Sequence, residues 1–405
     1  MKSYNTTTIG KSLLLLLLAL SVQGCLGIGN NNSSSSNGPV GNTITTNSSG
    51  NKVSVAQNLF KGKIYFTIDH NLWVTDGSSA SRELIHGGNV YDPAVSPDGK
   101  WIAFTARFKD FTNLAAIPAG GGPVHILLSG GGHFYNDTGI IKNTYHWFAQ
   151  PAWSLDGTHL LFLSDLQKDF VWYTLGGVFK NSPFLDLQVF SIPFNNPSAQ
   201  PQVIAYASYG DGGDRDPSYR PAHPNQTPEI VYTHYAYDQT GTQQVIQVFL
   251  ADATAIANHP YTYSPVSDSG VPLTPGSVQN IEPAFSPDGN AIVYVRRDTS
   301  NQMSLYIMPV PEGVTADPNS PTAEQKALQP YNKSSHILSG QYVSQPVWSP
   351  DGKQIVYVSY NNSEFDLWLA NISYNAKTSA YSLQGNPIQL TSGGIDGDSR
   401  PFWTP

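Results

Sequence analysis

The sequence predicts an all-β protein: a six-bladed β-propeller of four-stranded blades, the last blade closed by both termini. Two observations predict it. One pattern recurs along the chain as Pro93-Ala-Val-Ser-Pro-Asp-Gly99, Pro151-Ala-Trp-Ser-Leu-Asp-Gly157, Pro283-Ala-Phe-Ser-Pro-Asp-Gly289 and Pro346-Val-Trp-Ser-Pro-Asp-Gly352. Each copy is followed by alternating apolar residues, Ile102 and Phe104, Leu160 and Phe162, Ile292 and Tyr294, Ile355 and Tyr357. A fixed long period marks a repeat architecture, and a short period of two marks strands.

The turn between the two strands has its own chemistry. Proline presets φ, aspartate bonds to nearby main chain, and glycine takes the left-handed conformation. Leu155 replaces the proline once, which costs only the preset. A fifth, looser copy runs from Pro217-Ser-Tyr-Arg-Pro221 through a longer loop to Glu229-Ile-Val-Tyr232. The sixth is split. The chain ends on Pro401-Phe-Trp-Thr-Pro405, a first strand with nothing after it, and its missing partners stand near the other end. Lys61-Gly62-Lys63-Ile-Tyr-Phe66, Asn71-Leu-Trp-Val-Thr75 and Arg82-Glu-Leu-Ile85 supply strands two to four. Closure of this kind removes the sheet edges that invite aggregation.

The repeat prolines at 93, 151, 217, 283, 346 and 401 lie 55 to 66 residues apart. An ordinary four-stranded blade needs only about 40–45 residues. The surplus falls in insertions at 129–146, 165–185, 253–270 and 311–335.

The repeats, with fourth strands such as Val271-Pro-Leu-Thr274 and Pro387-Ile-Gln-Leu-Thr391, resemble the WD-like propeller repeats of the TolB family over residues 58–405. That resemblance implies a propeller in the cell envelope that binds a protein or peptide partner. It covers the propeller alone, because no room remains for the separate α/β domain of that family.

The N-terminus has a different character. Lys2 and Lys11 precede an eight-residue apolar run at 13–20, too short to span a bilayer, so residues 1–24 read as a signal peptide. It ends in Val22-Gln23-Gly24-Cys25, which resembles a bacterial lipobox. The lone cysteine of the chain, Cys25, is then the lipidated residue, and palmitate is one of its acyl groups. Leu26 after the cysteine, rather than Asp, implies by the same resemblance an outer-membrane anchor facing the periplasm or the cell surface. Residues 25–57, rich in Gly, Ser and Asn, read as a flexible tether, leaving 58–405 as a monomeric propeller body that meets the membrane only through its lipid.

A net charge of −8, with no run of Lys or Arg, argues against a nucleic-acid partner. No Gly-x-Ser-x-Gly elbow, His-Glu-x-x-His or phosphate-cradling glycine loop occurs, and no catalytic residue is assigned. The residue before each repeat proline is polar in all six copies: Asp92, Gln150, Asp216, Glu282, Gln345 and Arg400. In a propeller these six form a ring at one mouth of the central channel, with Tyr91, Trp147, Phe148 and Tyr219 nearby. Two readings stay open: a solvated rim, or a site for a basic group, a cationic peptide end or a metal. Arg400 in the second reading clamps a ligand carboxylate. Two acidic loops, Asp211 with Asp214 and Asp396 with Asp398, carry the hard oxygens that Ca²⁺ prefers, although a polar turn feeding the strand is the favoured reading of each. No other cofactor is expected. The leading function is a non-enzymatic interaction module, and the alternative is a propeller enzyme or carbohydrate binder, such as a metal-assisted polysaccharide lyase.

Overall fold

The structure is a computed structural model that describes residues 42–46, 52–78, 80–135, 141–166, 170–175, 178–183, 186–207, 212–221, 227–238, 240–254, 270–300, 302–318 and 320–405. Cys25 and Asp211 lie outside the described residues.

Six blades are present, as the repeats predict. Their first strands are Val90–Val95 (blade I), Phe148–Trp153 (II), Asp214–Tyr219 (III), Asn280–Phe285 (IV), Val343–Trp348 (V) and Phe402–Thr404 (VI). Blade VI joins that C-terminal strand to Lys63–Ile68, with Lys63 opposite Thr404 and Tyr65 opposite Phe402. The first strand of each blade touches the first strands of both neighbours, and the circle closes from blade VI back to blade I. Antiparallel pairing therefore puts all six strand entries on one face, and the Ser-x-Asp-Gly turns on the other.

Apolar alternation gives each blade two sticky faces. The result is six buried clusters, one at each seam between blades, such as Ile102 and Phe104 against Leu72 and Ile85 between VI and I. Burying one such side chain is worth about 1.5–3 kcal/mol. Indole N–H groups of the repeat tryptophans stitch the seams as well. Trp153 donates to Ala94 O at 2.9 Å, and Trp348 to Ala284 O at 3.1 Å.

The tether boundary shifts. Lys52–Ala56 is a strand, paired with Asn42–Thr46 on one side and Thr391–Ser392 on the other. Val53 and Val55 are fully buried in the seam between blades V and VI. Their two-residue alternation outweighs the polar composition around them, so the body begins before residue 58.

Two insertions fold as hairpins, Gly131–Tyr135 with Ile141–Tyr145 and Phe170–Leu175 with Val178–Pro183. They arise from a fourth-to-first and a second-to-third connection, so both belong to the strand-entry face. The insertion at 311–335 carries a short helix, Pro321–Leu328, whose Ala323 and Ala327 pack on the seam between blades III and IV.

Candidate functional site: the ringed channel mouth

The six pre-proline residues do converge on one mouth, and their backbone is unusual. Asp92, Gln150, Asp216, Glu282 and Gln345 have φ of 52°, 49°, 57°, 55° and 51°. Each of these five sits in a register shift of its strand, as between Tyr91 and Ala94. Left-handed backbone costs a non-glycine residue roughly 1–2 kcal/mol. The bulge suits the following proline, which has no N–H to give the ladder. It also turns the preceding side chain toward the axis.

Hydrogen bonds between blades hold the strained positions. The main-chain N–H of Asp92 donates to Ser399 Oγ at 3.0 Å, that of Gln150 to Thr105 Oγ1 at 3.2 Å, and that of Glu282 to Thr233 Oγ1 at 2.9 Å. The other three use the ring itself. Asp216 N–H donates to Gln150 Oε1, Gln345 N–H to Glu282 Oε2, and Arg400 N–H to Asp92 Oδ1. The ring is thus three bonded pairs: Gln150 with Asp216, Glu282 with Gln345, Asp92 with Arg400. Gln150 Nε2 returns a bond to Asp216 Oδ1 at 2.8 Å, and Thr233 Oγ1 caps Asp216 Oδ2 at 3.0 Å.

Electrostatics separates the acids. Glu282 and Asp92 keep part of their surface toward the mouth, but protein walls them on either side. Burial pushes the Glu282 carboxyl up to about 8, and the charge of Asp216 adds to the rise. Burial likewise pushes Asp92 up to about 7, against the bond from Arg400 N–H, with Asp216 again raising it. Asp216 acts on both, so the three acids share one field.

Arg400 does not point freely at a ligand. Its Nη2 donates to Pro283 O at 2.9 Å, reaching from blade VI to blade IV, and it lowers both Asp92 and Glu282. One arm of the carboxylate clamp expected of it is thus used within the fold. Two of the expected aromatic walls are corrected too. Phe148 is buried in the seam between blades I and II, and Tyr219 packs at the far end of its strand. Each faces apolar neighbours because of its alternation position.

The acidic loops stand apart, on blades III and VI across the ring from each other. Asp214 is fully buried and its Oδ1 bonds His234 Nδ1 at 2.8 Å. Asp396 accepts the N–H of His70 at 2.7 Å. Among the described residues, no group of three or more His, Cys, Asp or Glu side chains stands at metal-holding spacing.

Sequence reasoning missed several residues of this face. Thr105 and Thr233 follow Phe104 and Tyr232, as Thr67 follows Phe66, so a repeated threonine was there to find. His70, in a turn and stacked on Tyr91 at 4.3 Å, and Arg107, at the end of its strand and 5.5 Å from the Tyr91 ring centre, stand at positions without a repeat signal.

No family model matches the chain. The uncharacterized peptidase YuxL of Bacillus subtilis is 28% identical over 131 residues, 32% of this chain and 17% of that protein. The Tol-Pal system protein TolB of Haemophilus influenzae is 34% identical over 56 residues, 14% of this chain and 13% of that protein. TolB from Acinetobacter baumannii, a crystal structure, aligns with a TM-score of 0.50 at 16% identity, over 84% of this chain and 66% of that one. The fold is that of a TolB-like propeller. The chain matches less than a fifth of the length of either curated relative.

Proposed function

We propose that this chain is a lipid-anchored cell-envelope propeller that binds a protein partner at its ringed mouth, taking a basic side chain or an ammonium end there. The convergence of Asp92, Asp216 and Glu282 carries this reading, since Asp216 raises both other acids and a bound cation relieves that repulsion. Rigid blades with inserted hairpins on the same face fit a binding role. The lipobox-like Val22-Gln23-Gly24-Cys25 supports the anchor, and likeness to Tol-Pal system proteins supports an envelope location.

The test replaces Asp216→Asn together with Glu282→Gln. Both changes remove an ionisable carboxyl; the Gln amide oxygen still accepts the Gln345 N–H. Affinity capture from solubilised envelopes should yield a partner with the unaltered protein and about tenfold less with the double variant, at nearly equal melting temperature. Equal capture means that the ring is only a wet rim.

A further inference from the structure

We propose that Arg107 and the rings around it form a second subsite on the mouth face, one that takes a carboxylate carried beside an aromatic or apolar side chain of a peptide. Strand Trp101–Arg107 ends at this arginine, where its main-chain N–H bonds Asn89 O. The guanidinium lies 5.5 Å from the Tyr91 ring centre and 6.0 Å from that of Trp147. Among the described residues no carboxylate lies within ion-pair distance of it.

The contrast with the other six arginines of the chain is sharp. Arg220 donates to Glu229 and Glu312, and Arg296 to Asp298. Arg82, Arg215, Arg297 and Arg400 each donate to a main-chain or amide oxygen. Arg107 keeps an exposed fork whose geometry suits a carboxylate, already oriented between two rings.

The apolar half of the subsite begins at the next residue. Phe108 stacks on Phe111 at 4.7 Å and 17°, and Phe111 on Tyr145 at 6.0 Å and 8°. Phe108 remains 45% exposed and Tyr145 37%. Such a ladder offers large contact area at small entropic cost, the usual makeup of a binding hot spot. Burial pushes the Tyr91 hydroxyl up and the charges of Asp398 and Asp396 add to the rise, so the acidic field of the ring reaches the edge of this subsite.

The experiment titrates the purified full-length protein with N-acetyl-L-phenylalanine and, separately, with its uncharged primary amide. Tryptophan fluorescence is the readout, and subtraction of a Trp147→Phe variant isolates the reporting ring. The acid should give a saturable change with half-saturation in the millimolar range, as expected for a fragment of this size. The amide, and the acid with Arg107→Gln, should bind about tenfold more weakly. Equal binding of acid and amide overturns the proposal, and so does an Arg107→Gln response like that of the unaltered protein. The subsite uses none of the six ring residues. The double variant Asp216→Asn with Glu282→Gln should therefore keep the fragment response even where it loses the envelope partner, and the two readings fail separately.

Discussion

The inner strands have two ends, and the ends obey opposite rules. At the turn end, Ser96, Ser154, Ser286 and Ser349 each donate to the aspartate two residues on, at 2.5–2.7 Å. The following glycines hold φ of 68° or 69°, where a side chain would be strained. The serine bonds, with nearby main-chain N–H groups, hold Asp98 and Asp156 down at about 2. At the mouth end, non-glycine residues take the left-handed backbone, and burial drives Asp92 and Glu282 up. Local rules are kept where the chain only reverses, and broken where polar groups gather around the axis. Strain that recurs at one end of five blades is a mark of function rather than of folding convenience.

Closure affects both ends at once and carries the largest expected effect. Deleting residues 398–405 removes Ser399 and Arg400 from the mouth and the strand Phe402–Thr404 from blade VI. The indole N–H of Trp403 donates to Lys61 O at 2.8 Å, and its ring meets Phe60 edge-on at 5.7 Å. Losing that aromatic alone forfeits about 2–3 kcal/mol, and two unpaired edges are added. The melting temperature should fall steeply and the protein should associate in size-exclusion chromatography. An unchanged, monomeric truncation contradicts the circular arrangement.

The two ends were not equally legible in the sequence. The turns were, because proline, aspartate and glycine act through bonds a few residues long. The ring was legible as a set, since six polar residues share one repeat position. Its pairing and left-handed backbone were not, because they arise from register shifts that exist only once neighbouring strands have paired. Tyr91 and Trp147 were legible beside the ring, but the rest of the Arg107 quadrant was hidden for a related reason: Tyr145 reaches it from an insertion with no counterpart in other blades. Val53 and Val55 show the reverse case, a readable alternation masked by the serines and asparagines around it.

A middle-sized effect separates the ends directly. At the turn end, Gly99→Ala meets no atom within 4 Å, so its cost is conformational alone, about 1 kcal/mol. At the mouth, Gln150→Ala keeps the left-handed strain and also takes away the acceptor of Asp216 N–H, for about 2 kcal/mol. Gln150→Gly should cost less than Gln150→Ala, because glycine relieves the strain while the lost bond remains. Urea unfolding of the two Gln150 variants should show that difference. Gln150→Gly as damaging as Gln150→Ala means that the left-handed backbone stores no strain.

The smallest effect is a difference in sign with pH. Glu282 and Asp92 have folded values above those of the unfolded chain, so the folded protein holds more protons than the unfolded one from the ordinary carboxylate range up to about 7–8. Stability therefore declines as pH rises through that window. Asp98 and Asp156 are held below their unfolded value, so their contribution is present above it and is lost as pH falls toward about 2. Between about pH 5 and about pH 9 the melting temperature of the unaltered protein should drop, and Glu282→Gln should lessen that drop by about 2 °C. Asp98→Asn should leave this alkaline limb alone and reduce only the acid loss. Parallel alkaline limbs for the unaltered protein and Glu282→Gln would mean that Glu282 is already ionised at neutral pH. Burial and the Asp216 charge would then be too weak to hold a proton on Glu282, and the mutual repulsion on which the proposed cation site rests would be small.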